Sequence, residues 1–186
     1  MLSVRSEPSW VSDVLDFWFL EIPKADWFRR NDALDIVIRK RFHSLHDMLM
    51  SGDLPDGAGE RETLAMIIVF DQFSRNMFRG TAKAFATDGL ALQLSRAMVD
   101  GGIDTGLSKN ERLFVYLPLE HSEDLADQQR SVTLFQALED DELLKYAVAH
   151  HDVIARFGRF PHRNDVLGRT STPEEIEFLK QPGSAF

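Results

Sequence analysis

Seven consecutive apolar residues, Leu64-Ala-Met-Ile-Ile-Val-Phe70, constrain what this chain can fold into more than any other feature. Around them the apolar residues step by three and four, the period of a helix and not of a strand. A helix that is apolar on every face is stable only when other protein encloses it. The run is far short of the ~20 residues needed to span a bilayer, so the expectation is a core helix, with no membrane as partner.

Directly after this run stand Asp71, Gln72, Phe73, Ser74, Arg75 and Asn76. Asp71 and Arg75 are four residues apart and can pair along a helix. The arrangement recurs. Leu113-Phe-Val-Tyr-Leu-Pro-Leu119 is apolar all round and leads at once into Glu120, His121, Ser122, Glu123 and Asp124. A third polar group is His150-His151-Asp152, followed by Phe157-Gly-Arg-Phe-Pro-His-Arg-Asn164. On its helix His150 shares a stripe with Leu143, Ala147, Ile154 and Phe157, while His151 lies about 100° around. Enclosed helices pack against one another, so their ends are expected to bring these groups together. The charges are complementary: Asp71, Glu120 and Glu123 against Arg75, Arg159 and Arg163.

The rest of the chain reads as helices with marked ends. Val11, Val14, Leu15, Trp18 and Phe19 share a face, and Pro23 stops that helix. A stripe from Leu34 to Leu49 ends at Gly52, and Leu54 to Gly59 reads as a turn-rich loop. Helices are expected from about Glu60, from Asp88 to Gly101, from Ser108 (a capping box with Glu111), over Leu125 to Leu138, and from Asp140 or Asp141 to Gly158. Pro118 is expected to bend or end its helix. A short last helix is signed by Thr172, Pro173 and Glu175. No alternating strand pattern exceeds four residues. The expectation is an all-α, antiparallel array of seven to nine helices forming one domain over residues 1–186.

Composition narrows the function. Fourteen Phe and 3 Trp against 2 Tyr suit a dry interior, since Phe brings area without a hydroxyl to satisfy. A net charge of −9 with no basic cluster argues against nucleic acid. There is no cysteine, which excludes disulfides, thiol catalysis and cysteine-held metals. Met1 to Trp10 lacks the pattern of a secretory signal, so the expected location is the cytoplasm.

Specific catalytic signatures are missing. Glu120, His121 and Glu123, with His151 or His162, offer metal ligands, yet neither Glu-x-x-His nor His-Glu-x-x-His occurs, and no metal or cofactor is expected. Ser74 and Ser122 lack a nucleophile elbow, and there is no phosphate-binding glycine loop. Arg75, Arg79, Arg159 and Arg163, with Asn76 and Asn164, form a candidate receptor for a carboxylate or phosphate. The same residues would equally serve a closed charge network that only holds the fold together.

Four segments carry a family resemblance: Val14-Leu-Asp-Phe-Trp-Phe19, Phe70-Asp-Gln-Phe-Ser-Arg-Asn76 with Phe78-Arg-Gly80, Leu117-Pro-Leu-Glu-His-Ser-Glu-Asp124, and Phe157-Gly-Arg-Phe-Pro-His-Arg-Asn164. From about Val14 to the C-terminus the chain resembles the mainly bacterial family of unknown function DUF924. The resemblance implies stacked helix pairs similar to tetratricopeptide repeats. The family pattern has glycine where Leu20 stands and proline where Ser74 stands. It implies no activity.

The function expected from these residues is a binding module for a peptide, a protein or a small anionic ligand. Its candidate contacts are Asp71, Arg75, Asn76, Glu123, Arg159, His162, Arg163 and Asn164. The alternative is a small hydrolase using Glu120, His121 and His151.

Overall fold

A computed structural model describes residues 6–52 and 58–184. The first part of the segment Met1 to Trp10 and most of the expected loop from Leu54 to Gly59 lie outside the described residues. The helices are α1 (Ser9–Asp16), α2 (Asp32–Ser51), α3 (Glu60–Ile67), α4 (Ser74–Met77), α5 (Asp88–Asp100), α6 (Lys109–Glu120), α7 (Leu125–Gln136), α8 (Asp141–Phe157) and α9 (Pro173–Phe178). A π-helical turn, Ile68–Phe73, joins α3 to α4, so the two form one rod and the separate rods number eight among the described residues. Those residues contain no strand.

The end signals act as their chemistry dictates. Asn31 Oδ1 accepts from the Ala33 and Leu34 amides, and the capping boxes Ser108/Glu111 and Thr172/Glu175 both form. Asp140 caps α8, and Gly158 closes it in the left-handed region at φ 69°. Pro118 does not end its helix: α6 continues through it to Glu120. Proline inside a helix costs about 3 kcal/mol. Every residue from Leu113 to Glu120 is buried, and each large apolar side chain so enclosed contributes about 1.5–3 kcal/mol, so packing outweighs the lost amide.

Leu64 to Phe70 are 0% exposed, as a helix apolar on all faces requires. The rod they form touches α1, α2, α5 and α6, while α5, α6, α7 and α8 pack on one another in succession. Aromatic rings fill the centre: Phe73 lies 4.7 Å from Phe42 and 5.6 Å from Trp18, which meets Phe114 at 5.5 Å.

The π turn is what aims the site. There the Ser74 amide reaches back five residues to the Val69 carbonyl, a bond that proline at this position would not make. Thr87 Oγ1 donates to the Phe70 carbonyl at 2.6 Å. Ser74 Oγ, 2.8 Å away, therefore donates to Thr87 and accepts from His46 Nε2 at 3.0 Å. Ser74 and Thr87 are fully buried, so this serine is a structural link and not a nucleophile.

Candidate functional site

The polar ends of the buried rods converge. Asp71, in the π turn and 1% exposed, holds Oδ1 2.7 Å from His121 Nδ1 and 3.1 Å from Arg75 Nη1. Its Oδ2 accepts from Gln72 Nε2 at 2.6 Å. Burial alone would raise its pKa, but the charge of Arg75 and the hydrogen bond from His121 override that and hold it below the ordinary carboxylate range. Arg75 also grips Asp88, at the start of α5, through both terminal nitrogens at 3.0 and 3.2 Å.

His121 follows the last turn of α6. With Nδ1 on a carboxylate, that nitrogen carries the proton and Nε2 carries the lone pair. Among the described residues nothing bonds to Nε2. Burial lowers the His121 pKa, Asp71 opposes this, and Arg75 and Arg163 reinforce it.

Beside it, Glu120 is 3% exposed, with Oε1 3.0 Å from His150 Nδ1 and a buried Oε2 that makes no hydrogen bond. Burial, aided by the charge of Asp71, pushes the Glu120 carboxyl up to about 8. Burial, aided by His121, pushes His150 down to about 3. Near pH 7 both are therefore neutral, and the contact is one between uncharged groups and not an ion pair, the His150 Nδ1 proton going to the Tyr146 carbonyl at 2.9 Å.

Arg163 completes the group. Its Nη1 donates to the His121 carbonyl at 3.1 Å and to Asp88 Oδ2 at 3.4 Å. The side chain is 7% exposed, and its Nε is buried without a hydrogen bond. Its Cζ sits 4.4 Å from the Phe160 ring centre and 4.8 Å from that of Phe85. Burial and Arg75 lower its pKa to about 10, and burial and Arg163 together push His162 down to about 4.

A second network adjoins the first. Glu123 accepts from Arg169 at 2.7 and 3.0 Å and from the Phe160 amide at 2.7 Å. Arg169 Nε reaches Asn164 Oδ1 at 2.9 Å, and Asn164 Nδ2 reaches Glu175 at 3.2 Å. Arg159 binds Glu175 through Nε and Nη2 at 2.6 and 2.8 Å. These groups satisfy one another and tie the segment after α8 to the α6–α7 turn.

The structure thus brings together Asp71, Arg75, Glu120, His121, His162 and Arg163. Glu123, Arg159 and Asn164 fall in the adjoining network. Two residues lie elsewhere: Asn76 donates to Asp35 at 2.7 Å beside Arg79, and His151 turns outward to Asp152 at 3.1 Å. His150, and not the catalytic candidate His151, is the histidine that faces inward. Its position on the apolar stripe was the signal for that. Asp88, Arg169 and Glu175 are members that sequence reasoning missed: Asp88 and Glu175 were read only as helix-start residues, and Arg169 belongs to no motif. Among the described residues no three His, Asp or Glu side chains are grouped to hold a metal ion, and no helix is long and apolar enough to cross a membrane.

No curated protein matches this chain significantly. A solved structure does: the protein of unknown function ATU0120 from Agrobacterium tumefaciens is 40% identical, with 92% of this chain and 97% of that one covered and a TM-score of 0.86. The sequence pattern described as "Bacterial protein of unknown function (DUF924)" matches residues 14–183. The rods, their converging polar ends and these matches together give the conclusion that the chain belongs to the bacterial DUF924 family.

Proposed function

We propose that the converged polar ends bind a small ligand through a carboxylate or phosphate group, with Arg163 as the receptor. The observation that carries this is the edge of Arg163 formed by Nε and Nη2. Neither nitrogen has a hydrogen bond among the described residues, and Nε is buried. An unsatisfied buried donor costs about 1–3 kcal/mol, more on a charged group. Two parallel N–H groups match two oxyanion oxygens, and such a ligand removes that cost. Phe85 and Phe160 flank the guanidinium, which leaves its edge as the place to bind.

Local charge is balanced before a ligand enters. Arg75, Arg163 and Arg169 balance Asp71, Asp88 and Glu123, while Glu120 and His150 are neutral. Binding is thus short-range, because the chain as a whole is acidic and does not steer anions inward. This form of binding places a ligand at the polar end of the rods and not a peptide along a concave face.

A hydrolase is the second reading, favoured by the Asp71–His121 pair with its unbonded Nε2. In that version Glu120 and His121 remain and His151, which turns to Asp152, takes no part.

Calorimetric titration with acetate, benzoate and inorganic phosphate tests the proposal. At least one is expected to bind, and Arg163→Lys, which keeps the charge but lacks the planar edge, is expected to weaken it about tenfold or more. Arg159→Lys is expected to change nothing, since Glu175 already fills that edge. Unchanged affinity in Arg163→Lys would rule Arg163 out as the receptor.

A further inference from the structure

We propose that His121 takes up one proton at Nε2 when an anion occupies the unbonded edge of Arg163, so that the site binds an oxyanion and a proton together. The inference rests on the anion-binding reading and assigns the group that responds to it.

Geometry leaves His121 one place for a second proton. Nδ1 is committed to Asp71 at 2.7 Å, and Nε2 has no hydrogen bond among the described residues. Arg163 is bonded to the backbone of this same residue at 3.1 Å, so charge cancelled on that guanidinium is cancelled beside the imidazole.

The groups around His121 come from five directions. The π turn and α4 supply Asp71 and Arg75, and α5 supplies Asp88 between the two arginines. Its own segment supplies Glu120 and Glu123. From α8 comes His150, whose ring centre is 6.2 Å away. The segment after α8 supplies His162 and Arg163. In the empty site burial and the two arginines keep His121 neutral against the pull of Asp71. An anion on Arg163 removes one of those opposing charges and adds an attraction.

The alternatives are weaker. Glu120 already holds its proton and can only release one, which is the opposite sign. His150 is pressed against Glu120 and the Tyr146 carbonyl. His162 directly adjoins Arg163 in sequence and remains the competing acceptor. The uptake is balanced: one monoanion and one proton enter, and the net charge of the site does not change.

The test is calorimetry with benzoate near pH 7 in three non-phosphate buffers that differ in heat of ionisation. The slope of heat against buffer enthalpy reads protons taken up per benzoate bound. Wild type is expected to take up about one proton, and His162→Gln the same. His121→Asn, whose amide can still bond Asp71, is expected to take up almost none. Wild-type binding without uptake, or undiminished uptake in His121→Asn, overturns the inference while leaving the anion site standing. No benzoate binding in wild type overturns the inference, and the site falls with it when acetate and phosphate fail to bind as well. Should His121→Asn not fold, nitrogen NMR of wild type decides: benzoate is expected to shift His121 Nε2 from the unprotonated to the protonated value, and an unmoved resonance overturns the inference.

Discussion

Replacing Asp71 by alanine is expected to lower the free energy of unfolding at pH 7 by about 3–5 kcal/mol, the range for removing one partner of a buried ion pair. Asp71 is 1% exposed and serves Arg75, His121 and Gln72 at once. Its loss leaves Arg75 with Asp88 and the residue-71 carbonyl, and strands the His121 Nδ1 proton inside the protein. Those stranded donors, more than the lost attraction, set the size of the effect. Arg30→Ala provides the contrast. It breaks a pair to Asp32 whose side chains are 73% and 74% exposed, and the urea midpoint is expected to stay where it is. If both variants unfold at the wild-type midpoint, the network does not hold the ends of the rods together.

The second large effect is a loss of stability in mild alkali that depends on Glu120. Its folded value of about 8 exceeds the ordinary 4.5 of an unfolded chain, so the folded state keeps a proton that the unfolded state has released. Stability is therefore lost as pH rises between those values. His150 and His162 work the other way. Their folded values of about 3 and about 4 lie below the ordinary 6.5, so the unfolded state gains protons below pH 6.5 and stability erodes as pH falls. His121 and His46, also lowered, have the same sign as these.

In the unfolded chain an ordinary histidine is still half charged at about pH 6.5, so the histidines partly offset Glu120 up to about pH 7.5. Glu120→Gln cannot ionise and keeps the histidine contribution. At 1.36 kcal/mol per unit, wild type is therefore expected to lose about 2 kcal/mol relative to Glu120→Gln between about pH 6.5 and 8, read from the two urea midpoints. Parallel declines in the two proteins would show that Glu120 is already charged in the folded state.

The fold was largely written in the apolar pattern. Leu64 to Phe70 and Leu113 to Leu119 are greasy on every side, and both are sunk in the molecule. Caps at Asn31, Ser108, Asp140 and Thr172 rest on bonds between near neighbours, which local sequence determines. The π turn was hidden for a physical reason. A segment apolar all round has no phase, so an inserted residue leaves no trace in it. Asn76, after the turn, meets Asp35 and not the cluster. The site was half legible. Asp71 with Arg75 is a contact of adjacent turns, whereas Arg163 with Asp88 joins residues 75 apart and has no local signature.

All of this depends on the buried ends forming one shared environment in which Asp71 fixes the proton of His121. Long-range hydrogen–nitrogen NMR of the histidine rings measures that state directly. At about pH 5.5, where an ordinary histidine is mostly charged, His150 and His162 should remain neutral. Near neutral pH His121 should be a single tautomer, protonated at Nδ1 and bare at Nε2. Rings at these three positions that titrate together near 6.5, with both nitrogens of His121 averaged, would contradict the account.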